Sequence, residues 1–157
     1  MAVQPEQLIA EAIAQAEKAR AIDEVPIGCV IWHEPSGRII GRGHNRRIID
    51  ADPTAHAEII AIREAAKSLG DWRLIDCTLA VTLEPCPMCA GAIINARIPR
   101  LIYGCDDPKA GAVRSLFNLC EDARLNHRVE VTAGVAAAHC ASLLQDFFQA
   151  QRALGKK

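Results

Sequence analysis

Apolar residues recur at helical spacing near the start of the chain. Leu8, Ile9, Ala12, Ile13, Ala16 and Ala19 fall on one side of a segment from about Pro5 to Ala21, which predicts an amphipathic helix packed on something larger. The period then changes. Small and β-branched residues from Pro26 to Trp32, turn chemistry at Pro35-Ser36-Gly37, and Ile39 and Ile40 beyond it predict a β-hairpin. Asp52-Pro53-Thr54 offers a capping side chain and a proline ahead of Ile59, Ile60, Ile62, Ala65, Ala66 and Leu69. A second helix is therefore expected from near His56 to Gly70. Thr78 to Leu83 reads as a strand. Glu84-Pro85-Cys86-Pro87 then turns the chain into a helix reaching about Arg97, because proline is tolerated only in a first turn. Leu101 to Gly104 and Val129 to Val135 read as further strands on either side of an irregular stretch. Cys140, Leu143, Leu144, Phe147 and Phe148 mark the apolar face of a last helix. Strands alternating with helices imply an α/β layered sheet covered on both sides. No repeat, low-complexity tract or linker divides the chain, so one domain over residues 1–157 is expected.

Composition narrows this picture. Half of the residues are hydrophobic and 24% are charged, which excludes a disordered chain. No apolar run approaches the ~20 residues that span a bilayer, so no membrane partner is expected. Glu6, Glu11 and Glu17 interrupt the apolar residues of the first twenty positions, unlike a secretory signal. Seven cysteines cannot all pair within the chain, which suits a reducing, cytoplasmic compartment. Cys29, Cys77, Cys105, Cys120 and Cys140 have no special neighbours and are read as small core hydrophobes. A net charge of -1 does not suggest a nucleic-acid partner. Arg38, Arg42, Arg46 and Arg47, with His44, nevertheless lie between Glu34 and Asp50 without an intervening acid. Such a run is a local phosphate-attracting patch, with Arg38 and Arg42 alternatively the charged guard of an exposed hairpin edge.

Two motifs carry chemistry: His56-Ala57-Glu58 and Pro85-Cys86-Pro87-Met88-Cys89, each at a predicted helix start. At this composition chance supplies about 0.3 copies of H-x-E but only about 0.02 copies of P-C-x-x-C, so the second motif is the specific one. Cys86 and Cys89 lie three residues apart in a first helical turn, where both sulfurs can face one point and the helix N-terminus favours thiolates. Two thiolates and the His56 imidazole make a three-ligand zinc site with a fourth tetrahedral position open to water. That arrangement points to catalytic zinc, which makes water acidic enough to ionise near pH 7. Glu58, two residues from His56, is the candidate general acid/base. Residues two apart in a regular helix face nearly opposite ways, so the pairing works only at a helix start or under a covering element. The competing reading takes C-x-x-C as a redox pair and leaves His56 and Glu58 on a solvated surface.

With these motifs placed, the chain resembles the zinc-dependent nucleoside and nucleobase deaminases, whose H-x-E…P-C-x-x-C signature it carries. Further segments extend the likeness over nearly the whole chain: Asp23 to Gly28, Gly43-His44-Asn45-Arg46, Asp52 to Glu58, Thr82-Leu83-Glu84-Pro85-Cys86, Asp107-Pro108-Lys109-Ala110-Gly111-Ala112, Leu125 to Val129 and Asp146-Phe147-Phe148. Together they are similar to the bacterial tRNA-specific adenosine deaminases. The resemblance implies a three-layer α/β/α cytidine-deaminase-like fold with a central mixed sheet flanked by helices. It also implies hydrolysis of the wobble adenosine of a tRNA anticodon to inosine with release of ammonia. Further implied are one zinc ion per subunit on His56, Cys86 and Cys89, Glu58 as proton shuttle, and a homodimer contacting the anticodon loop. Asn45 and the backbone amide of Ala57 match positions that hold the base, and Ile27 matches the pocket wall. Asp107, Lys109, Phe148 and Arg152 are the remaining substrate-binding candidates. The last helix departs from the family in placing Gln149 directly after the two phenylalanines. The alternative enzyme is a deaminase of a free nucleobase such as guanine, and a third reading is an inactive zinc-stabilised RNA-binding module.

Overall fold

In a computed structural model, which describes residues 3–156, the amphipathic pattern of the first segment forms α1 (Pro5–Ala21). Gln7 Oε1 accepts from the Gln4 N–H at 2.9 Å and closes its first turn. The hairpin follows as β1 (Gly28–His33) and β2 (Arg38–His44), an antiparallel pair whose register slips at Ile31/Trp32. Helix α2 (Ala57–Leu69) ends on Gly70, whose φ of 69° supplies the left-handed cap. Next come β3 (Cys77–Leu83), α3 (Pro87–Asn95), β4 (Arg100–Cys105), β5 (Glu130–Thr132) and α4 (Ala137–Ala153).

The strands form one sheet in the order β2-β1-β3-β4-β5. β1 is antiparallel to β2 and β3, whereas β3, β4 and β5 run parallel, giving the mixed sheet expected. Alternation along the strands sorts two cores. Val30, Ala80 and Ile102 face Leu8, Ile9 and Cys140 of α1 and α4, while Cys29, Ile31, Leu79, Val81, Leu101 and Tyr103 face α2 and α3. Central β3 is buried on both faces because both are covered, and Thr78 and Thr82 are its buried polar residues. Helix α2 comes so close to β2 that a Cβ on Gly43 would overlap the Ala57 carbonyl oxygen.

Three element boundaries differ from the sequence expectation. Asp52 does not cap α2; its Oδ1 accepts from the Thr54 N–H at 2.8 Å and from the Thr54 hydroxyl, closing a local turn, and His56 takes the N-cap position. Helix α3 stops at Asn95, and Arg97 adopts a φ of 61°. The last strand is only Glu130–Thr132, paired with Arg100, Leu101 and Ile102 of β4. The five cysteines read as packing residues are all buried.

This topology gathers the chemistry at one edge. The C-terminal ends of β2, β3 and β4 and the N-terminal end of β1 lie side by side, as the pairs Gly28↔His44, Cys29↔Val81 and Leu83↔Cys105 show. The segments just beyond that edge begin with Asn45, Glu84 and Asp106, and Ile27 precedes β1.

Candidate active site

Both motifs open helices, and this resolves the spacing of His56 and Glu58. His56 is the N-cap of α2 with extended backbone (φ -78°, ψ 152°), outside the helix, and Glu58 is the second helical residue. Cys86 is likewise the extended N-cap of α3, Pro87 takes the first helical position, and Cys89 the third. Neither N-cap side chain makes the cap hydrogen bond that a Ser or Asp would make there. Both are therefore free to turn toward each other: His56 Nδ1 lies 3.7 Å from Cys86 Sγ and 3.4 Å from Cys89 Sγ. The three donor atoms all lie within 4.8 Å of one another. An imidazole and two sulfurs at this separation, at the positive ends of two helices, fit a tetrahedral zinc ion with one position left for solvent.

The electrostatics set the two sulfurs apart. A hydrogen bond from the Cys89 thiol, with help from His56, draws the Cys86 thiol down to about 4, and Cys89 is raised in return. The hydrogen bond to Cys86 raises the His56 pKa. Glu58 is only 4% exposed, and burial pushes its carboxyl up to about 7, against the pull of backbone hydrogen bonding and His56. A carboxyl near neutrality can both accept and deliver a proton.

Around Glu58 lies a cavity of about 200 Å³. Of the residues expected there from sequence, Ile27, Asn45, Ala57 and Asp107 line it. Asn45 is 3% exposed and donates from Nδ2 to the Val25 carbonyl at 3.4 Å. Lys109, Phe148 and Arg152 do not line the cavity. Lys109 is exposed next to Asp107, while Phe148 and Arg152 stand on α4, with Phe148 edge-on to Phe147. Arg47, Leu83, Glu84 and Ala110 line the cavity without having been singled out as site residues. The basic run divides: Arg38 and Arg42 project from edge strand β2, and Arg46 is tied to Asp50 by two bonds of 2.9 Å, so Arg47 alone of the four reaches the cavity.

A sheet carrying an imidazole and two cysteine sulfurs beside a buried carboxyl has the make-up of a metal-site hydrolase, and the cytidine and deoxycytidylate deaminase zinc-binding region matches residues 2–105. The chain belongs to that deaminase family. Within it, the chain is 52% identical over 142 residues to a tRNA-specific adenosine deaminase of Streptococcus pyogenes, covering 90% of this chain and 82% of the relative. It is 48% identical over 147 residues to the Haemophilus influenzae protein of the same name, covering 94% and 84%. A solved structure from a study of A-to-I editing by tRNA deaminases at the wobble position superposes with a TM-score of 0.83 at 45% identity, over 88% of this chain and 99% of that one. A guanine deaminase structure from Nitrosomonas europaea shares the fold at 23% identity, with a TM-score of 0.82 over 94% and 86%.

Proposed function

We propose that this protein, as a single deaminase domain, hydrolyses adenosine to inosine at the wobble position of a tRNA anticodon and releases ammonia. The observation that carries the chemistry is Glu58, buried at the wall of a base-sized cavity that His56 and Cys86 also line. His56, Cys86 and Cys89 would hold one zinc ion per subunit. Zinc at that position supplies Lewis-acid activation of a water molecule. Glu58 takes a proton from the attacking water at its carboxylate and gives it to N1 of the adenine ring; it then takes the second proton from the new C6 hydroxyl and delivers it to the C6 amine, which leaves as ammonia as the C6 carbonyl of inosine forms. Asn45 and the Ala57 amide orient the base, and Ile27 packs against its face. Water and adenosine are consumed, inosine and ammonia are formed, and no redox partner is needed.

The substrate reading draws on relatives at 48% and 52% identity that bear the name of a tRNA-specific adenosine deaminase. A cation at the cavity mouth is of use to a polynucleotide and of none to a neutral base, so Arg47 favours RNA over free guanine. Asp107 meets the nucleotide at the cavity wall, while Lys109, Phe148 and Arg152 contact the anticodon loop outside the cavity. The protein works as a cytoplasmic homodimer. Among the described residues no helix is long and apolar enough to cross a membrane.

Zinc-loaded protein incubated separately with adenine-wobble tRNA, free nucleobases and free nucleosides, then assayed for inosine and ammonia, tests the proposal. Inosine is expected in tRNA only, and Glu58→Ala should abolish it with zinc still bound. Ammonia from guanine without inosine in tRNA would refute the substrate assignment.

A further inference from the structure

Residues 106–129, between β4 and β5, contain no helix or strand, yet Asp107 and Ala110 in this connection form one wall of the cavity. A long irregular connection ordinarily adopts many conformations, and ordering it on binding costs affinity. Here the chain is wrapped around a single buried side chain. Glu84, 2% exposed, accepts from the backbone N–H of Asp107 at 3.0 Å through Oε1. Its Oε2 accepts from the N–H groups of Val113, Arg114 and Ser115 at 3.1, 2.8 and 2.9 Å. The Ser115 hydroxyl donates to Oε1 as well. The wrapping is tight enough that a Cβ on Gly111 would overlap the carboxylate. One residue further on, the Pro85 carbonyl accepts from the Ala112 N–H at 2.8 Å.

The geometry points to Glu84 as a positioning residue for substrate: its carboxylate latches the 107–115 segment so that the cavity wall is in place before RNA arrives. The latch starts at the C-terminal end of β3, two residues before a cysteine of the metal cluster. It thereby ties the wall's position to the chemical centre rather than to the distant end of the connection. The substrate class rests on the reading above; the latch does not depend on it.

Glu84→Gln separates the two halves of the latch. An amide oxygen can still accept from Val113, Arg114 and Ser115, but the amide NH₂ then faces the Asp107 N–H, donor against donor. In the full-length zinc-loaded protein we expect zinc content to be unchanged and the exchange protection of the Asp107 amide to fall by about ten-fold or more. For an adenosine-containing anticodon stem-loop, KM should rise about ten-fold, the equivalent of one hydrogen bond to a charged group, with kcat within about two-fold. Unchanged KM together with a deprotected Asp107 amide would overturn the proposal, as would loss of zinc or a fall in kcat alone. If Glu84→Gln fails to fold, Ser115→Ala, which removes one donor, should raise KM by about three-fold with kcat retained. An unchanged KM there would overturn the proposal equally. Failure of the wild-type protein to act on the stem-loop would refute the substrate assignment, while retained Asp107 protection in Glu84→Gln would refute the latch.

Discussion

Glu58→Gln should make the protein inactive and, with the metal removed, more stable. The side chain is 4% exposed, and burial raises its carboxyl from the ordinary 4.5 to about 7. The folded chain therefore holds that proton more tightly than the unfolded chain does. Below pH 4.5 both states are protonated and the residue costs nothing. As pH rises from 4.5 to 7 the unfolded state ionises first, and above pH 7 the cost is complete. At 1.36 kcal/mol per pH unit the full cost is about 3–4 kcal/mol. Glutamine fills the same space and does not ionise, so in chelator-treated protein the stability of wild type relative to Glu58→Gln should decline across that interval and then level off. Urea denaturation at pH 4.5, 6 and 8, followed by Trp32 and Trp72 fluorescence, reads the difference as a midpoint shift of about 1–2 M. With zinc restored, Glu58→Gln should bind the metal as wild type does and lose about 10²–10⁴-fold in kcat. Parallel pH dependence of stability in the two chelated proteins would refute the claim that burial of Glu58 is what tunes it.

Other perturbations test the site from different sides. Arg47→Ala should weaken stem-loop binding and reduce the slope of log affinity against log salt by about one, whereas Arg46→Ala, whose guanidinium is held by Asp50, should leave the slope unchanged. Binding titrations at several salt concentrations distinguish them, and identical slopes would count against the assignment of Arg47. Cys86→Ala removes one of three donors, so metal analysis should find substoichiometric zinc, and added zinc should not restore activity as it does to chelated wild type. Gly43→Ala forces a methyl into the Ala57 carbonyl and should cost about 1–3 kcal/mol in thermal or urea unfolding, since backbone cannot yield as a side chain can.

Periodicity located α1 from Pro5 to Ala21 because its apolar stripe lies on one continuous segment, and the metal donors were legible because P-C-x-x-C is rare by chance. The role of Glu84 was not, since its backbone partners lie 23 to 31 residues away and carry no side-chain signature. Arg47 was indistinguishable in sequence from Arg46. Only the fold shows that Asp50, one turn beyond Arg46, occupies one guanidinium and leaves the other at the cavity. Asp52 misled as a helix cap because a side chain that can cap a helix can also close its own turn.

The site divides into parts with different structural dependence. The donors and Glu58 sit on the first residues of α2 and α3, where backbone geometry fixed by packing on the sheet sets their positions. The cavity's other walls come from segments beyond the sheet edge: Ile27 before β1, Asn45 and Arg47 after β2, and Asp107 and Ala110 after β4. Loops of this kind change length and sequence without disturbing the core. A guanine deaminase structure shares the fold at 23% identity. It follows that exchanging the Asn45–Asp52 or Asp106–Ser115 segment should alter KM and substrate preference before it alters zinc binding. Exchanging residues at the start of α2 or α3 should do the reverse.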